Sequence, residues 1–347
     1  MRRHGNLFHQ IVDLENLALA YRRAKLGKSN MRGVVHFQKD VEGNLEKIHQ
    51  LLVTKTFTTS QYSRKTVYEP KERVIYVLPF SPDRIVQHAL MNVIVPIWQP
   101  MFHEHSYACI TGKGIHAGSR QTMGYVRKYR YCLKCDISKF YPSVDHNILM
   151  NIIRRKIKCP DTLWLIDDIV NSYPGGKNVP IGNLTSQWFG NLYMNELDQY
   201  VKHTLKHSAY IRYCDDFLFF HNDKGALNTI ARLVEDYVGS VLKLRLSKCD
   251  LFPVSRGVDF LGYRHFRDYI LLRKRTAKRV MRRLRQLPQM LDQGILTPEQ
   301  ARSKLASANG WMKWANTYHL QQSLHLKELM EKVHVECTRR KAAAAVC

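Results

Sequence analysis

Apolar positions along this chain alternate between a helical and a strand rhythm. Near the start, Ile11, Leu14, Leu17 and Tyr21 recur at the spacing of an amphipathic helix. VYEPKERVIYVLPF then reads as strand, short turn and strand, with Lys71, Glu72 and Arg73 at the turn. SPDRIVQHALMNVIVPIW predicts a helix capped by Ser81 with Pro82 in its first turn, and TGKGIHAG a glycine-rich loop. YCLKC predicts a strand ending at Asp136, and DHNILMNIIRRKI a helix. NSYPGGKNVPIGNLTSQ predicts a loop that leads into the long helix WFGNLYMNELDQYVKHTLKH. YIRYC and FLFFHN form a hairpin pattern, ALNTIARLVEDYVGSVLKL an amphipathic helix, and DFLGYRHF with YILLR a last small hairpin. This order predicts an antiparallel sheet covered on one face by helices, an α+β layer. Beyond Arg264, Val280, Leu284, Leu287 and Leu291 mark an apolar stripe on a helix with an arginine-rich back, read as a separate helical lobe.

Charge changes this picture. The 347 residues hold 54 Lys and Arg against 29 Asp and Glu, a formal net charge of +25. Such an excess favours a polyanionic partner, nucleic acid above all. No secretory leader and no apolar run long enough to span a bilayer is read, and the eight cysteines are scattered, so the expected location is cytoplasmic. Cys132 and Cys135 have zinc-like spacing, but no second pair completes a site.

The chemistry concentrates in acids. IRYCDDFLFF places Asp215 and Asp216 side by side between apolar strands, and Asp136 ends another strand. Adjacent buried anions repel and need a positive partner. If the strands are neighbours, three carboxylates meet at one end of the sheet. Mg²⁺ is bound by few carboxylates plus substrate phosphates, and a pair of ions suits displacement at phosphorus. The expected partner of the acids is therefore metal, with Asp136 and Asp215 as primary ligands and Asp216 as the third. An isolated Asp pair is more often a solvated turn, but apolar flanks argue against that here.

Tyr213-Cys214-Asp215-Asp216 resembles the Y-x-D-D box of reverse transcriptases, and KCDISKFYPSVDH resembles their first catalytic motif. VPIGNLTSQ is similar to their loop-helix motif and SRGVDFLGY to their primer grip, in the family's order from about Glu69 to about Tyr263. Ile181-Gly182 and Ser186-Gln187, where most members carry Gln-Gly and Ser-Pro, resemble the pattern of reverse transcriptases from diversity-generating retroelements. SYACITGKGIHAG, PVSRGVDFLGY and NGWMKWA also look like that family.

The resemblance implies a right-hand polymerase: N-terminal helix and fingers over 1–124, palm with a fingers-like helical insertion over 125–263, and a basic helical thumb over 264–347. It implies that Asp136, Asp215, Asp216 and the carbonyl of Ile137 hold two Mg²⁺ ions, and that Lys248 protonates the departing pyrophosphate. Lys71 and Arg73 would bind the triphosphate, and Tyr141 would be the steric gate against a ribose 2′-OH, a core aromatic being the alternative. Ile181, Gly182, Ser186 and Gln187 would complete the nucleotide site. Gly262 and Tyr263 would close the primer grip, with Phe260 and Leu261 packed beneath. Arg275, Arg279, Arg282 and Arg283 would track the duplex, whereas Trp311 and Trp314 are read as core.

The implied activity is copying a template-repeat RNA into adenine-mutagenised cDNA for mutagenic retrohoming, in a bacterial or phage-encoded system. Its partners would be that RNA, the cDNA, deoxynucleoside triphosphates and a small basic helical oligomer, the accessory variability determinant. The 84 residues after Tyr263 suffice for a thumb but are too few for an added RNase H or endonuclease. The alternatives are another prokaryotic reverse transcriptase, intron-like or defence-associated, and, from other classes, a two-metal nuclease or an RNA-binding scaffold.

Overall fold

The computed structural model describes residues 3–68 and 72–346, so Lys71 lies outside the described residues. It is an α+β chain with nine strands among them: β1 (Ser63–Val67), β2 (Arg73–Val77), β3 (Tyr131–Ile137), β4 (Tyr210–Tyr213), β5 (Asp216–His221), β6 (Leu246–Pro253), β7 (Val258–Phe260), β8 (Tyr263–His265) and β9 (Ile270–Leu272). They form an antiparallel β1–β2 pair, a central sheet in the order β4-β5-β3-β6, and a three-stranded antiparallel sheet β7-β8-β9. The acidic strands are thus neighbours in space, β5 lying directly beside β3.

The chain divides into two compact units. The first comprises 1–112, 134–218 and 228–250. Its helices include Leu14–Lys25, Ile85–Trp98 and Leu184–Gln199, the last buried along nearly its whole length. The N-terminal stripe folds as two helices rather than one, because Asp13 caps the second by accepting from Asn16 N–H. Ile11, Leu17 and Tyr21 are buried as the spacing predicts, while Leu14 is exposed. The first strand of the early pair is Ser63–Val67, not the stretch after Val67, and Arg73 opens β2 opposite Val67. Ser81 has an extended backbone and caps nothing; the helix proper begins at Ile85.

The second unit comprises 113–133, 219–227 and 251–347. The glycine-rich loop ends at Gly114, and the residues after it form the helix Ile115–Lys128. The last hairpin gains a third strand. Its first turn, Leu261-Gly262, has both residues at positive φ, the geometry that matches the twist of a two-residue hairpin. A Cβ on Gly262 would sit 2.6 Å from the Trp311 ring, so only glycine fits there. The arginine-rich helix spans Lys274–Asp292 and buries Val280, Leu284 and Leu287, packing with Leu305, Met312 and Val333 into a local core. Trp311 and Trp314 pack against that core as read from their spacing.

Candidate active site

The Asp215 turn is built from below. β4 and β5 are joined by Cys214 and Asp215 alone, and Cys214 takes φ +58°, a conformation that L side chains rarely adopt. Something must hold it. The Arg212 guanidinium, fully buried, donates from Nη1 to the Cys214 carbonyl at 3.0 Å. The same guanidinium makes a two-pronged contact with Asp198 on the Leu184–Gln199 helix, Nε to Oδ1 at 2.8 Å and Nη2 to Oδ2 at 2.6 Å. Tyr210 donates to Asp198 Oδ1 at 2.8 Å, and Arg212 also reaches Asn191 Oδ1 at 3.3 Å. The ion pair is buried on both sides and saturated with hydrogen bonds, the condition under which burial of charge is tolerated. Asp198 holds the guanidinium charged despite its burial. Neither Arg212 nor Asp198 was anticipated from the sequence; an arginine within an apolar strand pattern was the available signal.

Three acids surround this turn with different partners. Ile137 N–H donates to the Asp215 carbonyl at 3.3 Å, which ties the end of β3 to the turn. Ser247 on β6 donates to Asp136 Oδ2 at 2.7 Å and to its carbonyl at 3.2 Å. Lys134 Nζ lies 3.5 Å from Asp216 Oδ2. So a lysine two residues before Asp136 is a positive partner of Asp216, one that the sequence reading did not name. Burial pushes the Asp215 carboxyl above its ordinary range, and the Asp136 charge adds to this, while Arg73 pulls the other way. Burial pushes Asp216 up to about 6, against the opposing pull of Lys134 and with the help of both other aspartates.

Does this set fit a hard divalent cation? Among the described residues, no three His, Cys, Asp or Glu side chains stand close enough to hold one ion together. Asp216 opens β5 and pairs with Lys134, while its carboxyl still feels the charges of Asp136 and Asp215. What fits is the smaller set that Mg²⁺ uses when phosphates supply the rest. Asp136 and Asp215 repel each other electrostatically, and Asp216 Oδ1 is buried without a hydrogen-bond partner.

Tyr141 belongs to a short helix, Phe140–Ser143, entered through Lys139 at φ +44°. Its hydroxyl lies 3.3 Å from the Cys214 thiol, and burial, then the nearby thiol, raise the phenol's pKa strongly. The ring thus stands beside the Asp215 turn. Gly182, at φ +120°, would place a Cβ 2.6 Å from the Tyr76 carbonyl, and Tyr76 N–H donates to the Ile181 carbonyl at 2.8 Å. β2, which Arg73 opens, is thereby docked on the Ile181–Gly182 turn.

Other predicted residues fall differently. Ser186 is buried and donates to the Pro180 carbonyl at 2.8 Å, so its hydroxyl secures the loop rather than facing a ligand. Gln187 is exposed and accepts from the Cys109 thiol at 3.5 Å. Lys248 follows Ser247 on β6 and is exposed. Tyr263 is fully buried, its hydroxyl donating to the Trp311 carbonyl at 3.2 Å. Phe260 and Leu261 are buried as expected. Arg275, Arg282 and Arg283 are exposed, while Arg279 and Arg283 border a cavity of about 480 Å³ within the second unit.

Residues 64–265 match the family described as reverse transcriptase (RNA-dependent DNA polymerase), more than half of the chain, so the chain belongs to that family. It is similar to Protein YkfC of Escherichia coli (strain K12), 26% identical over 260 residues, covering 61% of this chain and 66% of that protein. The group II intron-encoded protein LtrA of Lactococcus lactis subsp. cremoris is 22% identical over 170 residues, 46% of this chain and 28% of that one. The putative COX1/OXI3 intron 2 protein of Saccharomyces cerevisiae is 20% identical over 323 residues, 72% of this chain and 38% of that one. The chain thus spans less than two thirds of the length of these relatives. No helix among the described residues is long and apolar enough to cross a membrane.

Proposed function

We propose that this chain copies RNA into DNA by nucleotidyl transfer at the Asp136–Asp215 end of the central sheet. The observation that carries the reading is the neighbouring placement of β3 and β5, with Ile137 tied to Asp215 and both aspartates in one electrostatic field. Two Mg²⁺ ions, when bound, would supply the Lewis acidity that activates the primer 3′ hydroxyl and neutralises the leaving pyrophosphate. Asp136, Asp215 and the Ile137 carbonyl would hold them together with the substrate phosphates. Ser247 orients the Asp136 carboxylate, and Arg212 fixes the turn on which Asp215 stands. Arg73 would grip the triphosphate, because a guanidinium matches phosphate bidentately, and Lys71 would add a point charge. Lys248 is the proposed proton donor to pyrophosphate. Tyr141 would exclude a 2′-OH by its ring. In this reading 1–124 are fingers, 125–263 palm and 264–347 thumb, and Arg275, Arg279, Arg282 and Arg283 contact the duplex backbone.

The finer reading is a diversity-generating retroelement enzyme, and Ile181-Gly182 with Ser186-Gln187 supports it. Isoleucine offers no hydrogen bond where a glutamine would, and loss of one such bond, about 0.5–1.5 kcal/mol, relaxes discrimination several-fold. The product would be adenine-mutagenised cDNA of a template repeat, made with an accessory variability determinant protein. A second reading, an intron-type reverse transcriptase, is favoured by the relatives that are named as intron proteins. Sequencing cDNA made by the purified chain on its neighbouring RNA decides between them. Errors concentrated at template adenines, reduced in Ile181→Gln, fit the first. An even error spectrum fits the second, and RNA cleavage without deoxynucleotide incorporation overturns both.

A further inference from the structure

At the edge of the central sheet two thiols touch. Cys249 on β6 is exposed, Cys135 on β3 is fully buried, and their sulfurs lie 3.4 Å apart. β3 and β6 are neighbours in that sheet, and both cysteines belong to the first unit. We infer that the pair is an oxidative modification site: peroxide joins it as a disulfide, a thiol reductant reopens it, and the bridge slows DNA synthesis. The last clause alone rests on the proposed polymerase reading.

Packing alone accounts for Cys135, since a reduced cysteine behaves as a small apolar side chain. It does not account for Cys249, which is exposed and gains little from burial. Adjacent strands run about 4.8 Å apart, and a disulfide joins Cα atoms about 4.4–6.8 Å apart, so neither strand has to leave the sheet. The sulfurs must close from 3.4 Å to a bonded length of about 2.05 Å. The hydrogen bond between the thiols lowers the Cys249 pKa, against burial and the Glu235 and Asp250 charges. The Cys249 thiolate attacks one peroxide oxygen, the O–O bond breaks and hydroxide leaves, giving a sulfenic acid. The Cys135 sulfur then attacks the Cys249 sulfur, the S–O bond breaks, and the departing hydroxide takes the Cys135 proton. The two thiols lose two electrons and two protons, and the peroxide ends as two waters. Asp136 follows Cys135 in β3, and Ser247, on the Cys249 strand, donates to Asp136 Oδ2 at 2.7 Å. Drawing the sulfurs together therefore shifts both strand segments that set this carboxylate. Misplacing a reacting group by about 1 Å can cost about a hundredfold in rate.

The test treats the full chain with hydrogen peroxide, blocks the remaining thiols with iodoacetamide and digests it with trypsin. Cleavage after Lys134, Lys139, Lys248 and Arg256 should release CDISK joined to CDLFPVSR, and dithiothreitol should separate them. Primer extension should fall about tenfold or more in the oxidised chain and return with dithiothreitol. Cys249→Ser should extend primers normally when reduced and keep that rate after peroxide. Absence of the joined peptide from the oxidised, unmodified chain overturns the inference without relying on any variant. Equal loss of extension in Cys249→Ser, or a bridged chain with an unchanged rate, overturns the control of synthesis. A chain that yields the joined peptide but makes no DNA even when reduced sinks the polymerase reading and leaves the modification site assigned.

Discussion

Arg212 Nη1 reaches the carbonyl of Cys214 at 3.0 Å while the rest of the guanidinium is locked onto Asp198. A strained residue is thereby fixed from the buried side of the strand, one position before Asp215. Arg212→Met should cost about 3–5 kcal/mol in chemical denaturation, because Asp198 would be left as an uncompensated buried charge. Arg212→Met/Asp198→Asn should recover much of that stability yet synthesise DNA poorly, since no donor remains for the Cys214 carbonyl. If the double variant extends primers at the normal rate, the turn does not depend on Arg212.

Asp215→Asn should abolish primer extension without lowering the melting temperature. The raised carboxyl pKa means that the folded chain bears a cost for keeping this anion buried, and a neutral amide removes it. Loss of both activity and fold in this variant would show a structural role instead.

Tyr141→Ala should admit ribonucleotides, whereas Tyr141→Phe should keep the discrimination against them. On the proposed reading the exclusion depends on the ring, and the hydroxyl contact with Cys214 serves only to seat it. Steady-state incorporation of each sugar by both variants separates the two functions; equal loss in both would assign selectivity to the hydroxyl.

Gly182→Ala should be among the more damaging of single-methyl additions. It demands both a positive φ and space already filled by the Tyr76 carbonyl. The deoxynucleotide KM should rise, since β2 would be displaced from the Ile181–Gly182 turn and Arg73 moves with it. An unchanged KM would detach Arg73 from the triphosphate.

The second unit should loosen in mild acid through His265. This buried imidazole takes the Ser119 hydroxyl on Nε2 at 2.8 Å and meets the Val258 carbonyl through Nδ1 at 3.1 Å, and burial depresses its pKa to about 4. The unfolded chain protonates near 6.5, so it binds more protons than the folded form below that pH. Stability is complete above pH 6.5 and falls by about 1.4 kcal/mol per pH unit down to pH 4. Thermal melts across this window should show the slope, and His265→Gln should flatten it.

The motifs were legible where apolar strands carry them: YCLKC and FLFF run as β3 and β5, and Asp136 and Asp215 fall at their ends. β6 was not, because LSKCDLFP is largely exposed and shows no alternation, so Ser247 passed unnoticed beside Asp136. The helix Ile115–Lys128 was hidden by the glycines that precede and enter it. Lys134 was visible only as one lysine in an apolar strand; its pairing with Asp216 depends on strand order, which local pattern does not encode. Ser186 and Tyr263 illustrate the reverse: the motif named them, and packing turned their polar groups inward.

Gly190 lies in the middle of the Leu184–Gln199 helix, and a Cβ there would stand 3.0 Å from the Phe140 ring and 3.2 Å from the Tyr141 ring. Seating of the Tyr141 ring is therefore shared between two elements far apart in the chain. An alanine at 190 would press on the Tyr141 ring and push it by a few tenths of an ångström while residue 141 itself stays a tyrosine. On the proposed reading of Tyr141, sugar selectivity is a quantity that can drift, or be engineered, through a helix position that no motif marks.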